Sequence, residues 1–217
     1  MVKFSQYDVI VFDCDGVILD SNNLKIDAMR VALENLAYPQ SEVDAAVGYF
    51  AVNFGKSRFH HIAYFVDHIL SGIYDREAAY DALLSDYSKA CKQLYMTAEM
   101  TENFNLVLEN VSAAKHVASG SEQEELRQVF EERGLARHFG YILGSPTAKS
   151  ENVAQIISEY KEKKILMVGD AKSDFDAARV NSIDFAFYAP YSNVQGQMLN
   201  HASMYGFPVI HSFKEVL

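Results

Sequence analysis

The chain of 217 residues is short of several things, and each shortage narrows what it does. It has two cysteines, Cys14 and Cys91. Two thiols give no disulfide framework and no zinc-ligand spacing, and they suit a reduced, cytoplasmic setting. It has four prolines against 49% hydrophobic residues, which excludes a disordered chain. Basic residues are the minority, 19 against 29 acidic, for a net charge of −10. That excludes a general nucleic-acid or anionic-membrane binder, which presents a basic face. Long apolar runs are missing too. The first run, Val9–Phe12, meets Asp13 and Asp15 at once, so neither a signal peptide nor a membrane span is expected there. The acidic excess poses a question of its own, because carboxylates that do chemistry need a cation beside them.

What is present is a set of short apolar runs, each bounded by Gly, Ser, Asp or Pro: 7–12, 116–118, 141–143, 164–168, 185–188 and 208–210. These read as strands. Helical patterns lie between the later runs, over 122–132, 151–160 and 174–180. Such alternation predicts an α/β fold, a Rossmann-like, mainly parallel sheet with helices on both faces. Residues 20–95 differ. They show helical periodicity with little strand character, on faces made by Leu24, Ala28, Val31 and Leu36, then Phe59, Ile62, Phe65, Val66 and Ile69, then Ala79, Leu83, Tyr87 and Leu94. The predicted organisation is therefore an α/β core from residues 1–19 and 97–217, with a helical cap domain over 20–96. Residues 97–112 are expected to form the helix that returns to the sheet.

Ligands bind at the carboxyl ends of strands in doubly wound sheets. The first strand ends in Asp13-Cys14-Asp15-Gly16, either a solvated turn or a carboxylate pair held by a cation. The second ends in Ser119-Gly120-Ser121, a hydroxyl beside a glycine that admits close approach, where Ser121 alone reads as a helix N-cap. Lys149 stands just before a helix, a position the macrodipole disfavours for a cation. The fourth core strand ends in Gly169-Asp170, with Asp174 at the next helix start, where it is an N-cap or a ligand. An all-oxygen site of this kind suits Mg²⁺. A phosphate held by Mg²⁺, Ser and Lys and attacked by a carboxylate needs this inventory.

With those motifs in hand, the sequence resembles the haloacid dehalogenase superfamily, in its phosphatase branch with a helical cap inserted after the first strand. Residues 9–21 resemble the first motif, Ser119 the second, Lys149 the third, and 169–174 the fourth. The resemblance implies that Asp13 is the nucleophile and forms an aspartyl-phosphate. It implies that Asp15 protonates the leaving oxygen and then activates water, its carbonyl also binding Mg²⁺. Ser119 would hold phosphoryl oxygens, with Gly120 beside it, and Lys149 would bridge Asp13 and the phosphate. Asp170 would bind Mg²⁺ and Asp174 would support it. The expected partner is a small phosphorylated metabolite, with a phosphosugar preferred. Gly55-Lys56-Ser57-Arg58 is similar to the phosphate grip of phosphosugar mutases, which makes Arg58 the expected cap contact and Lys25 a second one. Leu19 and Lys25 stand where mutases carry Thr and His, so a mutase is the alternative, and a silent phosphometabolite-binding protein another. Hinges are expected near 17–21 and 96–101.

Overall fold

The computed structural model describes residues 2–217. Six strands, β1 (Val9–Phe12), β2 (Ala114–Glu122), β3 (Ile142–Ser145), β4 (Ile165–Gly169), β5 (Asp184–Tyr188) and β6 (Val209–Ile210), form one sheet in the order β3-β2-β1-β4-β5-β6. Every pairing is parallel. The chain runs outward from β1 to one edge, then restarts beside it toward the other. The ends of β1 and β4 therefore lie side by side where the winding reverses, Phe12 aligning with Val117 of β2 and Val168 of β4.

Period-2 alternation divides β1 between two cores. Ile10 and Phe12 join the cluster containing Phe104, Phe130 and Phe213, while Val9 and Val11 join the one containing Val153, Ile156, Met167 and Phe187. The first face is covered by α5 (Phe104–Asn110) and α6 (Gln123–Glu132), and the second by α7 (Lys149–Ile157), α8 (Lys172–Val180) and α9 (Gln195–Tyr205). All four β1 residues are fully buried, which explains their uninterrupted apolar character.

Four helices lie between β1 and α5: α1 (Asn22–Asn35), α2 (Gln40–Val52), α3 (Arg58–His68) and α4 (Arg76–Thr97). They share their own apolar cluster, built on Met29, Leu33, Val43, Phe50, Ile62, Phe65, Leu83 and Tyr87. Two segments join them to the sheet. Asp20 N donates to Glu99 O at 2.9 Å, Thr101 N to Ile18 O at 3.0 Å, and Leu19 bridges Met100 in antiparallel sense. The segments expected to act as hinges thus form one short ribbon.

Several local expectations need correction. The face read on α1 is displaced, for Leu24 and Val31 are 41% and 50% exposed while Lys25, Ala28, Met29 and Leu33 are buried. A buried lysine had no place in an apolar stripe. Two helices went unread in the sequence: α2, although Val43, Ala46, Val47 and Phe50 form its buried face, and α9, whose one buried residue is Met198. Residues 97–112 are not one helix: α4 ends at Thr97, residues near Met100 pair with Leu19, and Asn103 takes a left-handed φ of 65° before α5 starts. The second strand runs past Ala118 to Glu122.

Candidate active site

The first aspartate follows β1 directly. Asp13 is 2% exposed, and Lys149 Nζ, on the first residue of α7, lies 3.1 Å from its Oδ1. The same ammonium lies 2.5 Å from Asp174 Oδ1. Burial alone would lower the Lys149 pKa, yet the charges of Asp13 and Asp174 outweigh it and hold the amine protonated. Those two carboxylates also answer the macrodipole objection to a lysine at a helix start. Asp174 is three residues into α8 and its Oδ2 accepts from Asp170 N at 3.1 Å and Ala171 N at 2.9 Å. The N-cap is Ala171, so Asp174 is not the cap residue itself; from inside the first turn it accepts the cap's N–H while also reaching Lys149.

Asp170 ends the β4 tip, 1% exposed. Its Oδ2 accepts from Asn22 Nδ2 at 2.6 Å, and the same amide nitrogen donates to Tyr191 O at 3.0 Å. Its Oδ1 is buried without a partner. A side chain on Gly16, whose φ is 71°, would run into both Asn22 and Asp170, so only glycine serves there. Carboxylate oxygens of Asp13, Asp170 and Asp174 lie within 4.8 Å of one another. Burial, followed by the charge of Asp174, pushes Asp13 up to about 7, and the same two causes push Asp170 well above the ordinary carboxylate range. When ionised, three carboxylates face one ammonium. The excess of two negative charges equals one divalent cation, and the orphaned Asp170 oxygen offers it a ligand. The all-oxygen donor set fits Mg²⁺.

Asp15 belongs to a different cluster. Its carboxylate accepts from Ser21 Oγ at 2.6 Å, Lys25 Nζ at 2.8 Å, Tyr95 OH at 2.8 Å and Ser121 Oγ at 2.8 Å. Burial raises its pKa, but the Lys25 charge and these hydrogen bonds outweigh that and leave it below the usual range. The Asp15 side chain is thus apart from the three clustered carboxylates. Ser121 serves this cluster instead of capping α6, whose N-cap is Glu122, accepting from Glu124 N and Glu125 N.

Ser119 lies two positions beyond Val117, the partner of Phe12, at the level of the strand tips. Its oxygen accepts from Ser121 N at 3.1 Å, which leaves its own proton to donate. Gly120 admits the helical unit: a Cβ there would lie 2.5 Å from Gly55 O. Lys25, read as a substrate contact, is engaged with Asp15. Arg58, read as a phosphate grip, is engaged with Glu125 of α6 through two bonds, Nη2 to Oε1 at 2.6 Å and Nη1 to Oε2 at 3.0 Å, and with Ser88 Oγ at 2.8 Å. Asn22, Tyr95, Ser121 and Glu125 were not read as site residues in the sequence. Polar residues of these kinds are common in helices and strands, and only the contacts made between elements single these four out.

The model of the haloacid dehalogenase-like hydrolase family matches residues 10–188, and the chain belongs to that family. A curated relative, the tyrosine-protein kinase PtkA of Mycobacterium tuberculosis, is 22% identical over 186 residues, covering 81% of this chain. The chain spans about 60% of the length of that relative. Among solved structures, a predicted phosphatase from Clostridium acetobutylicum superposes with a TM-score of 0.75 at 18% identity, covering 97% of this chain and 96% of its own. A predicted phosphoglycolate phosphatase from Haemophilus somnus reaches 0.69 at 16% identity, covering 86% and 87%. At these identities the superpositions establish the fold.

Proposed function

We propose that the chain is a Mg²⁺-dependent phosphatase of a small phosphorylated metabolite, working through an aspartyl-phosphate on Asp13. The observation that carries this reading is the unbalanced cluster at the strand tips, with Asp13 beside Lys149. Asp13, Asp170 and Asp174, with the Asp15 carbonyl, would hold the ion, which supplies charge neutralisation for two anions that must meet. An Asp13 carboxylate oxygen forms the bond to phosphorus as the bond to the leaving oxygen breaks. Lys149 offsets charge on Asp13 and on the incoming phosphoryl group, and Ser119 donates its free proton to a phosphoryl oxygen. Water then attacks phosphorus and releases Asp13. Asp15, held ionised, is suited to take the proton from that water. Its expected role as donor to the leaving oxygen requires an arrangement in which Lys25 no longer grips it. The helices α1–α4 act as the cap that excludes water while Asp13 is phosphorylated.

The mutase alternative needs Arg58 and Ser57 free for a second phosphate. Arg58 is paired with Glu125, and Ser57 Oγ accepts from His60 N to cap α3, which supports hydrolysis over transfer. The test is phosphate release from a panel of phosphomonoesters with and without Mg²⁺. Asp13→Asn should lower kcat by about 10⁴-fold or more. Release that survives in that variant, or no release from any ester, sinks the reading.

A further inference from the structure

Between Asp13 and the inner end of α3 lies a chamber of about 20 Å³, room for about one water as it stands. Its inner cations are already matched. Lys25 is 2.8 Å from Asp15, and Arg58 is held by both oxygens of Glu125, each pair almost wholly buried. Lys56 also reaches the chamber, but it is exposed and its Nζ lies 3.4 Å from exposed His60 Nε2, at the outer side.

One polar side chain on the chamber wall is unmatched. His61 is 0% exposed and neither ring nitrogen has a partner. Phe50 stands edge-on at 4.6 Å between ring centroids, and Tyr49 at 5.9 Å. Burial, followed by the nearby charges of His60, Lys56 and Lys25, pushes its pKa down to about 3, so the ring is neutral. A neutral imidazole carries one donor and one acceptor. Two unsatisfied nitrogens in an aromatic setting are costly unless something completes them. The two nitrogens point apart, so one hydroxyl, which both donates and accepts, pairs with the one it meets. A carboxylate or second phosphate does not: it would enter beside Phe50, Phe54 and Tyr87, lose its water, and find Lys25 and Arg58 already neutralised.

Resting on the phosphatase reading, we infer that the substrate is the phosphate monoester of an uncharged polyhydroxy alcohol, selected by a hydrogen bond between a leaving-group hydroxyl and His61, with the Arg58–Glu125 pair excluding anionic leaving groups. The experiment measures kcat/KM on four esters: p-nitrophenyl phosphate, 2,3-dihydroxypropyl phosphate, n-propyl phosphate and carboxymethyl phosphate. The wild-type protein should favour the dihydroxypropyl ester over the propyl and carboxymethyl esters by roughly 30-fold or more. In His61→Phe, which keeps an aromatic ring at that position, the dihydroxypropyl-to-propyl ratio should fall by roughly tenfold or more. A carboxymethyl ester hydrolysed as well as the dihydroxypropyl ester, or an unchanged ratio in the variant, overturns this inference while leaving a phosphatase. Turnover of none of the four while another ester of the panel is hydrolysed overturns this inference, and no release from any ester overturns the phosphatase reading itself. If that variant fails to fold, the wild-type ratios test the substrate class and His61→Gln, which keeps a polar side chain there, tests the contact.

Discussion

Asp13 and Asp15 stand two residues apart, yet they belong to opposite electrostatic regimes. The half of the site built by the α/β unit, Asp13, Lys149, Asp170 and Asp174, is left with surplus negative charge. Burial and mutual repulsion push Asp13 up to about 7. The half shared with the helical unit, Asp15 with Ser21, Lys25, Tyr95 and Ser121, is closed, one carboxylate with one ammonium and three hydroxyls. The difference teaches how a single strand tip serves two purposes. An unbalanced cluster is a receptor for charge from outside, while a balanced one is a joint that holds two parts of the molecule together.

The sharpest way to break this comparison is to unbalance the closed half. Lys25→Met strands Asp15 without its counter-charge and should cost about 3–5 kcal/mol of stability, read by chemical denaturation. A loss below about 1 kcal/mol would mean the pair is solvated and the halves are alike. Next in size is the response of the open half to pH. Because the folded-state pKa of Asp13 is raised from 3.8 to about 7, the folded protein holds extra proton across that window, and metal-free stability falls as pH rises through it. A divalent cation must displace that proton, and the one on Asp170 as well, so Mg²⁺ affinity should weaken by at least about tenfold per pH unit below about 7. Calorimetric titrations on both sides of pH 7 measure this, and a pH-independent affinity contradicts it. The smallest effect is expected from Tyr95→Phe. It removes one of four donors to Asp15 and should cost about 1.5 kcal/mol, with Mg²⁺ affinity unaltered. A change in that affinity would show the halves to be coupled through Tyr95.

The same division explains what could be read from the sequence. The open half sits where short apolar runs stop, so Asp13, Lys149, Asp170 and Asp174 were found by asking which residues end strands. The parallel sheet and its two helical faces followed from the same runs. In the closed half only Asp15 and Ser121 carried such a signal, and Ser121 was read as a helix cap. Lys25 sits in the first turns of a helix whose buried face was misassigned, because a lysine becomes buried only when a carboxylate from another element meets it. Tyr95 stood one residue from Leu94, which was read as the apolar face. Arg58 was read as facing a substrate from the likeness of residues 55–58 to a phosphate grip, whereas its partner, Glu125, is 67 residues away. Contacts between elements are set by packing, and spacing along the chain does not encode them.

The start of α1 carries one more consequence. Ser21 precedes the helix, and Asn22 and Lys25, three residues apart, share one side of it. Ser21 and Lys25 reach Asp15, and Asn22 reaches Asp170, so one helical turn touches both halves of the site. A rotation of that turn by a single residue, about 100°, would withdraw the amide from one aspartate and the ammonium from the other in the same motion. The two carboxylates therefore share one support: whatever moves this turn changes the partners of Asp170 and Asp15 together.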